Sequence, residues 1–147
     1  MDEADSWVTD YWDSLVRGMH DREKCDAAVW AAEVGGLLDS LQSDGFETES
    51  PLYLGYDIYT RTGGAARALA DDLKSAGYVV EFLLDDLDYH RWHVILTYPN
   101  AVLVTAEVVA ERWRALVPYA EAHEGALDGF SIGIQTGYGD EALRSPD

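Results

Sequence analysis

The stretch LYLGYDIY (Leu52–Tyr59), TGGAARALADDLKSAG (Thr62–Gly77), YVVEFL (Tyr78–Leu83), RWHVILTY (Arg91–Tyr98) decides the fold. In the first run, period-two alternation puts Leu52, Leu54, Tyr56 and Ile58 on one face and Tyr53, Gly55, Asp57 and Tyr59 on the other, as a half-buried strand requires. Ala66, Leu69, Ala70 and Leu73 then recur at helical spacing, with Gly77 as the stop. Tyr78, Val80 and Phe82 form the inner face of a second strand. A third strand buries Trp92, Val94, Leu96 and Tyr98 and turns Arg91, His93, Ile95 and Thr97 outward. Between them Asp85-Asp86-Leu87-Asp88 reads as an acidic hairpin loop.

Downstream, Thr105 caps a long helix with Val109, Trp113, Leu116 and Ala120 inward, kinked at Pro118 and ended by Gly125. A fourth strand over Gly129–Gln135 buries Phe130, Ile132 and Ile134, and Gly129 is expected to supply an unusual backbone angle at its start. Strand, helix, strand, strand, helix, strand predicts an α+β, ferredoxin-like βαββαβ sandwich: two helices on one face of a four-stranded antiparallel sheet.

Upstream, Val8, Tyr11, Trp12, Leu15, Val16 and Met19 mark one apolar helix face, with Asp5 or Ser6 as its cap. Gly18 and Asp21-Arg22-Glu23-Lys24 suggest a break before a second helix from Asp26 to Gln42. The predicted organisation is an acidic helical extension over 1–50 packed on the domain, the ferredoxin-like domain over 51–136, and a flexible tail over 137–147.

Composition narrows the function. Twenty-eight acidic residues against ten basic ones give a formal charge of −18, and Lys24 and Lys74 are the two lysines. Such a surface repels phosphate backbones, so direct nucleic-acid binding is not expected. A protein partner with a basic surface would be drawn in by the same field, although solubility in salt explains the acidity equally well. Cys25 is the single cysteine, which excludes an intrachain disulfide and a cysteine metal cluster. No stretch approaches the ~18 apolar residues of a membrane span and no secretory leader is visible, so a cytoplasmic location is expected.

The motifs carry no catalytic chemistry. His90 and His93, three apart on a strand, point to opposite faces and do not share a metal. Asp86 to Thr97 fails the calcium-loop pattern, with Arg91 where glycine belongs and Thr97 where glutamate belongs. Thr62-Gly63-Gly64 lacks the lysine of a phosphate-binding loop and reads as a turn. No cofactor is expected, and an enzyme or small-molecule sensor would require an apolar pocket with convergent polar groups. The sheet face bearing Tyr53, Asp57, Tyr59, Arg91, His93 and Thr97 is either a protein-docking face or, the reading favoured here, a surface covered by the N-terminal helices that bury Trp12 and Trp30.

One further pattern points to a family. Leu41-Gln42-Ser43-Asp44-Gly45 closing a helix, a strand after Pro51, Ala76-Gly77-Tyr78-Val79-Val80 closing an alanine-rich helix, a strand bearing Trp92, and Gly125-Ala126-Leu127-Asp128-Gly129-Phe130 occur in this order. Together they resemble the regulator of ribonuclease activity B (RraB-like, ribonuclease E inhibitor) family over roughly residues 30 to 135, with Phe130 where that family typically has Trp. The resemblance implies a non-catalytic acidic protein that binds an RNase E-type endoribonuclease and restrains it, modulating RNA decay. The partner-binding candidates are Asp85, Asp86 and Asp88 on the hairpin and Tyr53, Asp57, Arg91 and His93 on the sheet face. The alternative is an immunity or antitoxin protein that neutralises a toxic effector by charge complementarity.

Overall fold

The computed structural model describes residues 3–86 and 91–134, with side chains described for 8–81 and 91–134. The element order is α1 (Glu3–Lys24), α2 (Ala27–Ser43), β1 (Tyr53–Thr60), α3 (Gly63–Ser75), β2 (Val79–Asp86), β3 (Arg91–Thr97), α4 (Ala106–Ala122) and β4 (Ala126–Gly133). This is an α+β chain with four helices and one antiparallel sheet of order β2-β3-β1-β4.

Each helix that follows a turn starts on a short polar side chain. Asp26, Thr62 and Thr105 accept from the backbone N–H of Val29, Ala65 and Val108, satisfying donors that have no partner within the helix. Thr62-Gly63-Gly64 is thereby explained as a helix start. Gly77, at φ 101°, ends α3 with the Tyr78 N–H bonded back to the Leu73 carbonyl, a left-handed turn that glycine adopts without steric strain.

The helices α3 and α4 bury one face of the sheet, α3 over β2 and β3 and α4 over β4 and β1. Leu54, Tyr56 and Ile58 of β1, Val94 and Leu96 of β3, Leu69 and Leu73 of α3, and Trp113 and Leu116 of α4 are buried there, as their spacing predicts. Burying each such side chain stabilises the fold by about 1.5–3 kcal/mol before its ordering entropy is subtracted.

Several expectations change. The first helix starts at Glu3 and runs without a break through Gly18 to Lys24, so neither Asp5 nor Ser6 is its cap. A Cβ at Gly18 would meet nothing within 4 Å, so packing does not require glycine there. The second strand extends through Asp85 and Asp86, which are therefore strand residues and not loop. The fourth strand starts three residues early, at Ala126, with Ala126 and Leu127 fully buried, and ends before Ile134, which is exposed. Gly129 lies inside β4 opposite Asp57 and not at a positive-φ strand start; the register shifts there, leaving Asp128 as an extra residue between the Gly129 and Leu127 pairs.

The N-terminal helices pack mainly along β4 and α4 and not across the sheet face that bears Asp57 and His93, although Ile95 and Thr97 on that face, read as outward, are buried. The second helix packs beside α4, where the Trp30 ring meets Trp113 at 5.8 Å and Phe130 at 6.0 Å. The first packs against β4 and α4. Its Met19 backbone carbonyl accepts from Trp113 Nε1, and its sulfur accepts from the Leu127 N–H. Trp12 is buried at the end of the sheet, under the Arg61 guanidinium. Tyr11 is where α1 reaches the open face, through Arg91. Among the described residues no helix is long and apolar enough to cross a membrane. Residues 137–147, read as a tail, lie outside the described residues.

Candidate functional site

Strand pairing decides which candidate residues meet. Tyr59 lies opposite His93 and Asp57 opposite Ile95, so Asp57, Tyr59, His93 and Arg91 all project from the face away from α3 and α4. The Tyr59 and His93 rings stack at 4.7 Å with an interplanar angle of 26°. His93 Nε2 stands 3.2 Å from Asp57 Oδ1, both half-buried, an ion pair whenever the imidazole is protonated. The Arg91 guanidinium lies 4.2 Å over the Tyr59 ring and donates to the Tyr11 hydroxyl of α1. Cation, ring, ring and carboxylate thus follow one another along β1 and β3.

Tyr53 is not in this cluster. It pairs with Gly133 at the other end of β1, six residues or about 20 Å away from Tyr59. Asp86 pairs through its backbone with Arg91, which places the end of β2 beside the cluster. The side chains of Asp85 and Asp86, and all of Asp88, lie outside what the structure describes, as does His90.

A second concentration of charge and aromatic surface was not singled out from the sequence. Arg22, in the last turn of α1, stands 5.4 Å from the Trp30 ring centroid, 5.2 Å from Trp113 and 5.9 Å from Phe130. Both of its Nη groups donate to the Glu33 carboxylate, Nη2 at 2.7 Å. The three rings come from α2, α4 and β4, so no local pattern announces them. The only advance signal is that Trp30 and Glu33 share one helix face at a spacing of three.

Beneath the sheet, Tyr56 donates to the Val109 carbonyl at 2.9 Å, and Tyr98 packs edge-on against Tyr56 and Tyr78. Burial pushes both the Tyr56 and the Tyr98 hydroxyls well above the ordinary tyrosine range, with Tyr78 adding to the shift and Arg112 opposing it. Arg112 lies 4.0 Å over the Tyr98 ring. Among the described residues no group of three or more His, Cys, Asp or Glu is placed to hold a metal ion.

Strand order, helix placement and acidic composition define a class, a small acidic α+β protein whose described polar clusters join arginines to aromatic rings and carboxylates. Residues 31–132, more than half of the chain, match the family described as regulator of ribonuclease activity B, and the chain belongs to that family. The match spans most of α2 through most of β4 and leaves α1 outside. No match is found among curated proteins.

Proposed function

We propose that this protein is a non-catalytic regulator that binds an RNase E-type endoribonuclease and inhibits it. The family match over residues 31–132 carries this reading. The formal charge of −18 supports a basic protein surface as the target and disfavours direct contact with RNA. The strand order β2-β3-β1-β4 supports a ferredoxin-like arrangement over 51–136, with the helices of 1–50 as an acidic extension packed on it. A cytoplasmic location accords with a target that cleaves RNA.

Two surfaces are proposed to meet the partner. The β2–β3 hairpin offers Asp85, Asp86 and Asp88 as acceptors for arginine and lysine side chains. The adjoining face offers Asp57, His93 and Arg91, with Tyr53 further along β1. The pairing of Asp86 with Arg91 supports reading the end of β2 and the Arg91, His93 and Asp57 face as neighbours.

The test is binding of the purified endonuclease, followed by calorimetry across a salt series. Tight, salt-sensitive binding supports the reading. No binding at low salt refutes it.

A further inference from the structure

The surroundings of Arg22 are those of a bound guanidinium. Aromatic faces attract a cation through the ring quadrupole, and a carboxylate matches the planar guanidinium fork two hydrogen bonds at a time. Trp30, Trp113 and Phe130 supply the faces and Glu33 supplies the carboxylate. The rings are braced without Arg22: Trp30 sets its edge against Trp113, and Tyr56 contacts both Trp113 at 6.4 Å and Phe130 at 6.3 Å. Tyr56 is itself tied to the Val109 carbonyl. The receptor is therefore held in shape by groups other than its present occupant.

The occupant is replaceable. Arg22 and Glu33 side chains are 29% and 39% exposed, so solvent reaches both members of the pair and an incoming group can reach Glu33. Beside them an open groove of ≈ 410 Å³ continues past Ala32, Gly36 and Leu37 of α2 and Gly129 of β4. A Cβ at Gly36 would meet nothing within 4 Å, so a chain can approach α2 closely there. Glu33, Trp113 and Phe130 lie inside the family match, whereas Arg22 and Trp30 lie outside it.

We propose that this cage is an arginine-recognition site, that Arg22 is an internal stand-in for an arginine of the basic protein partner, and that the partner's chain lies in the groove along α2. The proposal deepens the functional reading above and rests on it for the partner being a basic protein. An incoming arginine displaces Arg22, keeps the bidentate pairing with Glu33 and frees the last turn of α1. Lysine fits poorly, because a point ammonium neither pairs bidentately nor stacks flat on a ring.

The test follows the indole N–H signals of Trp30 and Trp113 by NMR, using N-acetyl-arginine amide and N-acetyl-lysine amide as probes. Arg22→Gln, which empties the cage, is expected to bind the arginine probe about tenfold more tightly than the unaltered protein and to prefer it over lysine by a similar factor. Adding Glu33→Gln is expected to abolish that binding. A folded Arg22→Gln whose two indole signals stay still, or move equally with lysine, overturns the proposal. Should Arg22→Gln fail to fold, the unaltered protein is titrated with hexa-arginine and hexa-lysine peptides. Indole shifts specific to the arginine peptide support the cage, and identical responses overturn it. The endonuclease takes no part, so failure here leaves the regulator reading standing, and failure to bind the endonuclease leaves the cage result standing.

Discussion

Gly125 lies against Tyr59 so closely that a Cβ on it would stand 2.6 Å from the Tyr59 carbonyl oxygen. That contact joins the turn after α4 to the strand residue whose ring carries Arg91 and stacks on His93. Gly125→Ala has no flexible side chain to push aside, so backbone must move. A loss of about 1–3 kcal/mol in urea unfolding is expected, with perturbed Tyr59 and His93 ring signals. An unchanged midpoint would show that the turn relaxes without strain.

The neighbouring residue gives the opposite sign. Glu124 holds φ 55°, the left-handed region that side chains with a Cβ disfavour by roughly 1–2 kcal/mol. Glu124→Gly is expected to raise stability by about 0.5–1 kcal/mol, since glycine's larger unfolded-state entropy takes back part of the gain. Thermal melts of the two variants, side by side, check both signs.

Alkaline pH should expose the two buried tyrosines. With folded-state values raised above the unfolded ~10, Tyr56 and Tyr98 retain their protons in the native state when the unfolded chain has lost them. Their contribution to stability is complete below about pH 10 and is lost as pH rises above it. Absorbance at the phenolate band should show these two groups ionising only with unfolding. Tyr56→Phe, which removes the bond to the Val109 carbonyl and leaves that carbonyl its helical partner, should cost about 0.5–1.5 kcal/mol at neutral pH.

The acidic hairpin makes a prediction on binding. Reversing charge at Asp85 and Asp86 together should weaken endonuclease binding by about tenfold or more at low salt, through slower association, with the difference shrinking at high salt. Equal affinity of variant and unaltered protein would remove the hairpin from the interface.

The order of elements was legible because period-two and period-three-to-four apolar spacing records burial on one face. Tyr56, Leu69, Leu96 and Trp113 are all where that spacing puts them. Long-range contacts determined the rest. Ala126 and Leu127 read as the approach to a strand, yet they are buried strand because Met19 of α1 closes over them. Trp12 and Trp30 demanded burial, but pattern alone does not say against which surface. The Asp57–His93 pairing followed from strand order, whereas the Arg22 cage draws on α1, α2, α4 and β4, and local spacing shows only its Trp30 and Glu33 on one face of α2.

The most direct measurement is RNA cleavage by the purified RNase E-type endonuclease with increasing amounts of this protein, on one fixed RNA substrate. For a regulator that acts on the enzyme, cleavage is expected to fall to a plateau at stoichiometric protein, at low salt, with no RNA turnover by the protein alone and no RNA bound by it. Undiminished cleavage at saturating protein, or inhibition traced to the protein binding the RNA, would contradict that role.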